Sequence, residues 1–105
     1  MSRKNVNTTI DKNLYSKIQV LAVQLTKNAN DLIEEGMDHT LEKYSDKKNH
    51  SNIQTKKRNR KSINTTLDED LYTKIKILAV ILKIAANNLI EEGMEYILEK
   101  YDNNN

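Results

Sequence analysis

The chain is two copies of one unit. Residues 4–44 align without a gap on residues 61–101, at an offset of 57, with identity at 25 of 41 positions. The shared stretches include LYxKI (Leu14–Ile18 and Leu71–Ile75), LAV (Leu21–Val23 and Leu78–Val80) and LIEEGM (Leu32–Met37 and Leu89–Met94), a level that excludes chance. A unit of about 40 residues stands near the lower limit for independent folding, so the two copies are expected to share one core. Between them, residues 45–60 read SDKKNHSNIQTKKRNR, polar and basic with Ile53 as the one apolar residue, which predicts a flexible tether. The expected organisation is repeat 1 at 4–44, linker at 45–60, repeat 2 at 61–101 and a disordered tail at 102–105.

Three patterns follow one another in each copy. Val6, Thr8 and Ile10 alternate with Asn5, Asn7 and Thr9, a period of two that predicts a five-residue strand with one face in the core. Copy two repeats it with Ile63, Thr65 and Leu67 against Ser62, Asn64 and Thr66. Asp11 and Asp68 are expected to cap a first helix, with Ile10 and Tyr15 (Leu67 and Tyr72) as a hydrophobic staple. That helix would bury Leu14, Ile18, Leu21, Ala22 and Leu25. A break near Lys27–Ala29, eased by a left-handed turn at Asn28, leads to a second cap at Asn30, repeated as Asn87. The second helix carries Leu32, Ile33, Gly36, Met37, Leu41 and Tyr44.

A short strand cannot stand alone, because its backbone groups need partners. The two strands are therefore expected to pair as a two-stranded antiparallel ribbon over four helices, a mainly α fold with a short β-ribbon. The 16 residues between Tyr44 and Lys61 reach about 50 Å when extended, enough for pairing within one chain. Pairing between chains, copy one with one and two with two, is the alternative and predicts a stable dimer. The chain has no Cys and no Pro and only two Gly, which excludes a disulfide framework, a Cys-based zinc site and a glycine-rich phosphate loop. No apolar run approaches the roughly 20 residues of a membrane span, and MSRKNVNTT lacks a signal-peptide core, so a cytoplasmic protein is expected. His39 and His50 read as surface residues, with no metal ligand set around them. No nucleophile–base pair is present either, so neither an enzyme nor a cofactor is expected.

The net charge of +2 divides unevenly: residues 1–10 carry +2 and residues 45–62 carry +6, whereas 11–44 carry −2 and 63–105 carry −4. Basic segments ahead of each unit point to an anionic partner, nucleic acid before membrane. Glu34, Glu35, Asp38 and Glu42, like Glu91 and Glu92, read as a solvated helix face. Gly36 and Gly93, costly in mid-helix, suggest close approach of the two second helices.

The order of elements in VNTTIDKNLYSKIQVLAVQLTKNANDLIEEGM, and again in INTTLDEDLYTKIKILAVILKIAANNLIEEGM, resembles the ribbon-helix-helix family of DNA-binding proteins, the MetJ/Arc type. The resemblance covers about 80 residues and implies a dimer fused into one chain, a single-chain pseudodimer. It implies a ribbon in the major groove of double-stranded DNA, with Asn5, Asn7, Thr9, Ser62, Asn64 and Thr66 on base edges. Asn pairs with adenine and Thr offers a methyl to thymine, so an A/T-containing, approximately palindromic operator is expected. Phosphates would be met at Asn30, Asn87 and Asn88 on the second helices, and by Arg3, Lys4 and Lys61. The family commonly has a charged reader on its strands; all six positions here are uncharged, a departure that leaves affinity to the basic arms.

On the first helix Val20, Gln24 and Lys27 become Ile77, Ile81 and Ile84, while His39 and Thr40 become Tyr96 and Ile97. Copy two is therefore expected to expose an association surface at Ile77, Ile81 and Ile84, giving higher-order species on DNA. The resemblance implies a small transcriptional repressor, an autorepressor or a plasmid or phage regulator. The alternatives are a protein-interaction module of the same fold without specific DNA binding, or a plasmid partition or antitoxin DNA-binding component.

Overall fold

The computed structural model describes residues 3–45 and 58–102. In chain order they form β1 (Arg3–Asp11), α1 (Lys12–Leu25), α2 (Ala29–Lys43), β2 (Arg60–Asp68), α3 (Glu69–Leu82) and α4 (Ala86–Asp102). The strands run nine residues each rather than five. Their ends are polar and half-exposed, so apolar alternation marked only the middle of each. The tether expected at 45–60 accordingly stops short of Arg60, and α4 runs on to Asp102. His50 and Ile53 lie outside the described residues, as do 103–105.

β1 and β2 pair with each other, antiparallel and within the one chain. Asn7 stands opposite Asn64, Asn5 opposite Thr66 and Thr9 opposite Ser62. Asn7 and Asn64 are the same position of the two copies, so the register is centred on the repeat itself. Val6, Ile10, Ile63 and Leu67 face inward and are buried, while the six alternate polar side chains are exposed. A one-residue slip would invert both faces, so the register is held by the core.

Each strand runs directly into a helix. Asp11 Oδ1 accepts from the amide of Leu14 at 2.9 Å, and Asp68 Oδ1 from that of Leu71 at 3.0 Å, which are the expected caps. The Leu14 amide is the chief reason that the Asp11 carboxyl is held below the usual carboxylate range. In α1 Leu14, Ile18 and Ala22 are fully buried, whereas Leu21 and Leu25 only pack against the core edge.

The break between helices lies two residues earlier than expected. Thr26 (φ 57°, ψ 44°) and Lys83 (φ 61°, ψ 39°) are the left-handed residues, at equivalent positions. Their backbone N–H groups, and those of Lys27 and Ile84, close the last turns onto carbonyls of Ala22, Val23, Ala79 and Val80. Asn28 is extended (φ −83°) and is the N-cap of α2, without a side-chain capping bond. Asn30 therefore lies inside the first turn of α2, and Asn87 inside that of α4; neither is the cap.

The two second helices cross at their glycines. A Cβ on Gly36 would sit 2.5 Å from the Gly93 carbonyl oxygen, and one on Gly93 would meet Gly36 in the same way. Only hydrogen at both positions permits this approach. Around the crossing lie buried Leu32, Ile33, Met37, Leu89, Ile90 and Met94. Thr40 and Ile97, at equivalent positions, are both fully buried, so this exchange belongs to the core and adds nothing to the surface. The Thr40 hydroxyl is shared between the Gly36 carbonyl at 3.0 Å and that of Leu89 at 3.3 Å. His39 and Tyr96, also equivalent, stack with ring centres 3.5 Å apart, so His39 is an interhelical contact rather than a free surface residue.

Candidate nucleic-acid interface

Period-two alternation lifts Asn5, Asn7, Thr9, Ser62, Asn64 and Thr66 onto one exposed ribbon face, as the sequence led one to expect. They stand in three rows, Asn5–Thr66, Asn7–Asn64 and Thr9–Ser62. All six are uncharged, and together they present amide donors and acceptors, hydroxyls and methyl groups. The Ser62 hydroxyl donates to Asn7 Oδ1 at 3.2 Å. Asn5 and Asn64 have no side-chain hydrogen bond to the other described residues.

The first turns of α2 and α4 are tied to the edges of this face. Asn30 Nδ2 donates to the Thr66 hydroxyl at 3.0 Å and the Thr66 carbonyl at 3.1 Å, and Asn87 Nδ2 donates to the Thr9 hydroxyl at 3.2 Å. Thr9 and Thr66 are thus oriented by the opposite copy's helix. Asn30 Oδ1 and Asn87 Oδ1 are buried without a partner. These amides, expected as caps, serve instead to fix the helices against the strands.

The basic residues divide into two groups. Lys4 and Lys61 are exposed, Lys61 Nζ lying 6.0 Å over the Tyr15 ring. Arg3 is engaged by α2: its guanidinium spans both oxygens of Glu34 at 2.7 and 2.9 Å and reaches Asp31 at 3.3 Å. Arg60, the equivalent of Arg3, spans Glu91 at 2.6 and 2.9 Å and donates to Asn88 Oδ1 at 2.9 Å. The Asn88 side chain is thereby occupied. Glu91 holds the Arg60 guanidinium firmly in its charged form. Arg58 adds to this end, its Nε 3.1 Å from Glu91 Oε1 and its second arm 3.1 Å from Glu95.

Glu34 and Glu91 are therefore buried ion-pair partners, not the solvated face that the sequence suggested. Each also accepts from the last amide of the opposite copy's strand, Glu34 from Asp68 at 2.7 Å and Glu91 from Asp11 at 2.8 Å. Glu35 and Glu92 are engaged as well. Lys100 and Tyr101 bond to Glu35, and Lys43 and Tyr44 to Glu92, clasping the end of each second helix to the middle of the other. Burial pushes the Glu35 carboxyl up, but Lys100 and Tyr101 outweigh it and the net shift is downward. No spacing rule exposes these pairs, whose members lie 31 or more residues apart.

Of the expected association surface, Ile77 and Ile81 are exposed (56% and 46%), while Ile84 packs against the core. Val80 on the same helix and Val20 and Val23 on α1 are also exposed and were missed. The repeated LAV was the available signal, since its third residue lies about 100° around the helix from buried Ala22 and Ala79 and away from the core stripe. Among the described residues no group of His, Cys, Asp or Glu is arranged to hold a metal ion. No described helix is long and apolar enough to cross a membrane.

Among known families, the model described as ribbon-helix-helix domain aligns with residues 59–102. No curated protein and no solved structure matches the chain. The matched segment contains β2, α3 and α4 in the order strand, helix, helix. The family is a regulatory fold that commonly binds double-stranded DNA and is generally non-enzymatic. Over residues 59–102 the chain is similar to the ribbon-helix-helix domain family.

Proposed function

We propose that the chain binds double-stranded DNA sequence-specifically, laying the β1–β2 ribbon in the major groove, and acts as a small transcriptional repressor that occludes a promoter. The role is that of an autorepressor or of a plasmid or phage regulator. The observation that carries this reading is the exposed polar face of the ribbon, six side chains in three rows centred on Asn7 and Asn64. A two-stranded ribbon fits the major groove, and Asn can pair there with adenine through N6 and N7. Both copies contribute one strand, so one chain acts as a pseudodimer on an approximately palindromic, A/T-containing operator.

Phosphate contact falls to Lys4 and Lys61, with the first-turn amides of Asn30 and Asn87 facing the backbone. Arg3 and the Asn88 side chain already have protein partners and contribute less. The test is a mobility-shift assay at two salt concentrations, comparing the native chain with Asn7→Ala plus Asn64→Ala. The double variant is expected to lose roughly 5- to 150-fold in preference for the selected site for each reader removed. Absence of binding at low salt overturns the reading, and unchanged selectivity in the double variant overturns ribbon readout.

One observation favours a second reading. Val20, Val23, Ile77, Val80 and Ile81 are exposed on α1 and α3, as a protein-interaction module of this fold would require. A partition or antitoxin DNA-binding component would use both surfaces. Light scattering with and without DNA separates these, since association through Ile77 and Ile81 raises the mass on DNA with adjacent sites.

A further inference from the structure

The two ends of the ribbon face differ. The repeat places Asn5 where the other copy has Ser62, and Thr9 where it has Thr66. One outer row is therefore Asn5 beside Thr66 and the other Ser62 beside Thr9. The Asn5 carboxamide is exposed with donor and acceptor both free among the described residues. Ser62 is shorter, and its hydroxyl is turned sideways onto Asn7 Oδ1 at 3.2 Å. Asn5 makes no matching bond to Asn64 on the other diagonal. One end thus offers a free reader, while the other end uses its side chain to orient the central amide.

The flanks differ in the same sense. At the Asn5 end Asp31 stands 3.3 Å from Arg3, whereas at the Ser62 end the equivalent position is neutral Asn88, 2.9 Å from Arg60. Arg58 also lies at the Ser62 end, bound to Glu91 and Glu95. The end with the better reader therefore has the weaker attraction for phosphate, so its binding depends more on matching bases.

Resting on the reading of the ribbon as the DNA-contacting face, we propose that this protein reads its operator with a direction. Base discrimination concentrates in the half under Asn5 and Thr66, and the half under Thr9 and Ser62 tolerates substitution. Ser62 is a positioning residue, fixing the Asn7 carboxamide so that it meets the central base pairs in one orientation.

The test is selection of duplexes from a random pool by the full chain, with the selected sites aligned without imposed symmetry. One half is expected to show a preference of roughly 5- to 150-fold at its outer base pair that is missing at the mirrored position. Ser62→Asn should install that preference in the second half, and Asn5→Ser should erase it from the first. Ser62→Ala should relax the central preference, and Ser62→Thr should restore it. Positions 5 and 62 are exposed, so melting temperatures should not change with these variants. Equal preference in both halves, or an asymmetry that Ser62→Asn leaves intact, overturns the direction alone. A central preference unchanged in Ser62→Ala overturns the positioning role. A pool from which nothing is enriched overturns the DNA-binding reading, and this inference with it.

Discussion

Replacing Gly36 by alanine tests the helix crossing most directly. In an isolated helix the change is favourable by about 1 kcal/mol, because glycine is the poorer helix former. Here the new Cβ would lie 2.5 Å from the carbonyl oxygen of Gly93 and 2.6 Å from its carbon. Ordinary contact begins near 3.4 Å, so α2 and α4 must separate by about 1 Å or slide past one another. The obstacle is backbone, so no rotamer change relieves it. Separation loosens Leu32, Ile33, Met37, Leu89, Ile90 and Met94 together, and overpacking of this kind costs about 1–3 kcal/mol or more. The backbone obstacle puts the cost at the upper end of that range, so after the propensity gain Gly36→Ala is expected to destabilise by up to about 2 kcal/mol net. Urea unfolding followed by circular dichroism measures it. A melting curve should fall by roughly 4–8 °C for each kcal/mol. Gly93→Ala should behave alike, and the double variant should lose less than the two single losses combined, because the helices need part only once. A stability gain in either single variant would refute the crossing.

Thr26→Gly and Lys83→Gly should each stabilise by about 0.5–1 kcal/mol, since both positions are left-handed and only glycine adopts that conformation freely; thermal unfolding will show it, with the larger gain at β-branched Thr26. Glu91→Gln should cost about 3–5 kcal/mol in urea unfolding, because it leaves Arg58 and Arg60 facing a neutral amide in a buried site, whereas Glu34→Gln, whose Arg3 partner is 37% exposed, should cost less. Stability should also fall with acid. The Asp11 and Glu35 carboxyls sit below their ordinary values in the folded chain, so their contribution is present above about pH 4.5 and is lost as pH drops through the folded values. Asp38 acts in the opposite sense: burial and then Glu34 raise its carboxyl, so its protonation near the start of acidification relieves a penalty. Melting temperature against pH, for the native chain and Glu35→Gln, should show a shallower acid limb in the variant.

What the sequence disclosed and what it withheld have separate physical reasons. The ribbon face was legible because alternation over Val6–Ile10 assigns each side chain to one side whatever the partner strand is. The helix crossing was legible because a glycine repeated in mid-helix is costly unless something approaches closely. The loop after α1 misled. Asn28 is the residue type that tolerates a left-handed turn, yet the turn falls on Thr26 and Lys83, fixed by closure onto Ala22 and Ala79 rather than by local preference. Asn30 has a capping side chain and spends it on Thr66 of the other copy's strand. The turn is set by closure of the helix's own last turn, whereas at Asn30 a tertiary contact overrode propensity, its partner 36 residues away and out of reach of any local window.

The acidic pairs carry the same lesson further, into function. Glu34 and Glu35 are neighbours in sequence, yet successive helix positions point about 100° apart and serve different partners. The first is buried beneath the ribbon end on Arg3, and the second clasps Lys100 and Tyr101 at the end of α4. Glu91 and Glu92 repeat the arrangement with Arg60, Lys43 and Tyr44. Arg3 and Arg60, at the ends of the two strands, are therefore part of the fold before any ligand arrives. Drawing either toward a phosphate would strand a buried carboxylate that also holds the opposite strand's exit, a loss larger than one surface phosphate contact returns. On the proposed reading, with six neutral readers and tethered arginines, the salt-dependent affinity falls to lysines such as Lys4 and Lys61 and to the basic segment 45–62. Lys4→Ala plus Lys61→Ala should flatten the dependence of DNA affinity on salt by about two units of slope while leaving base preference intact. An unchanged slope would move the phosphate contacts away from Lys4 and Lys61, to the arginines or to the basic segment 45–62.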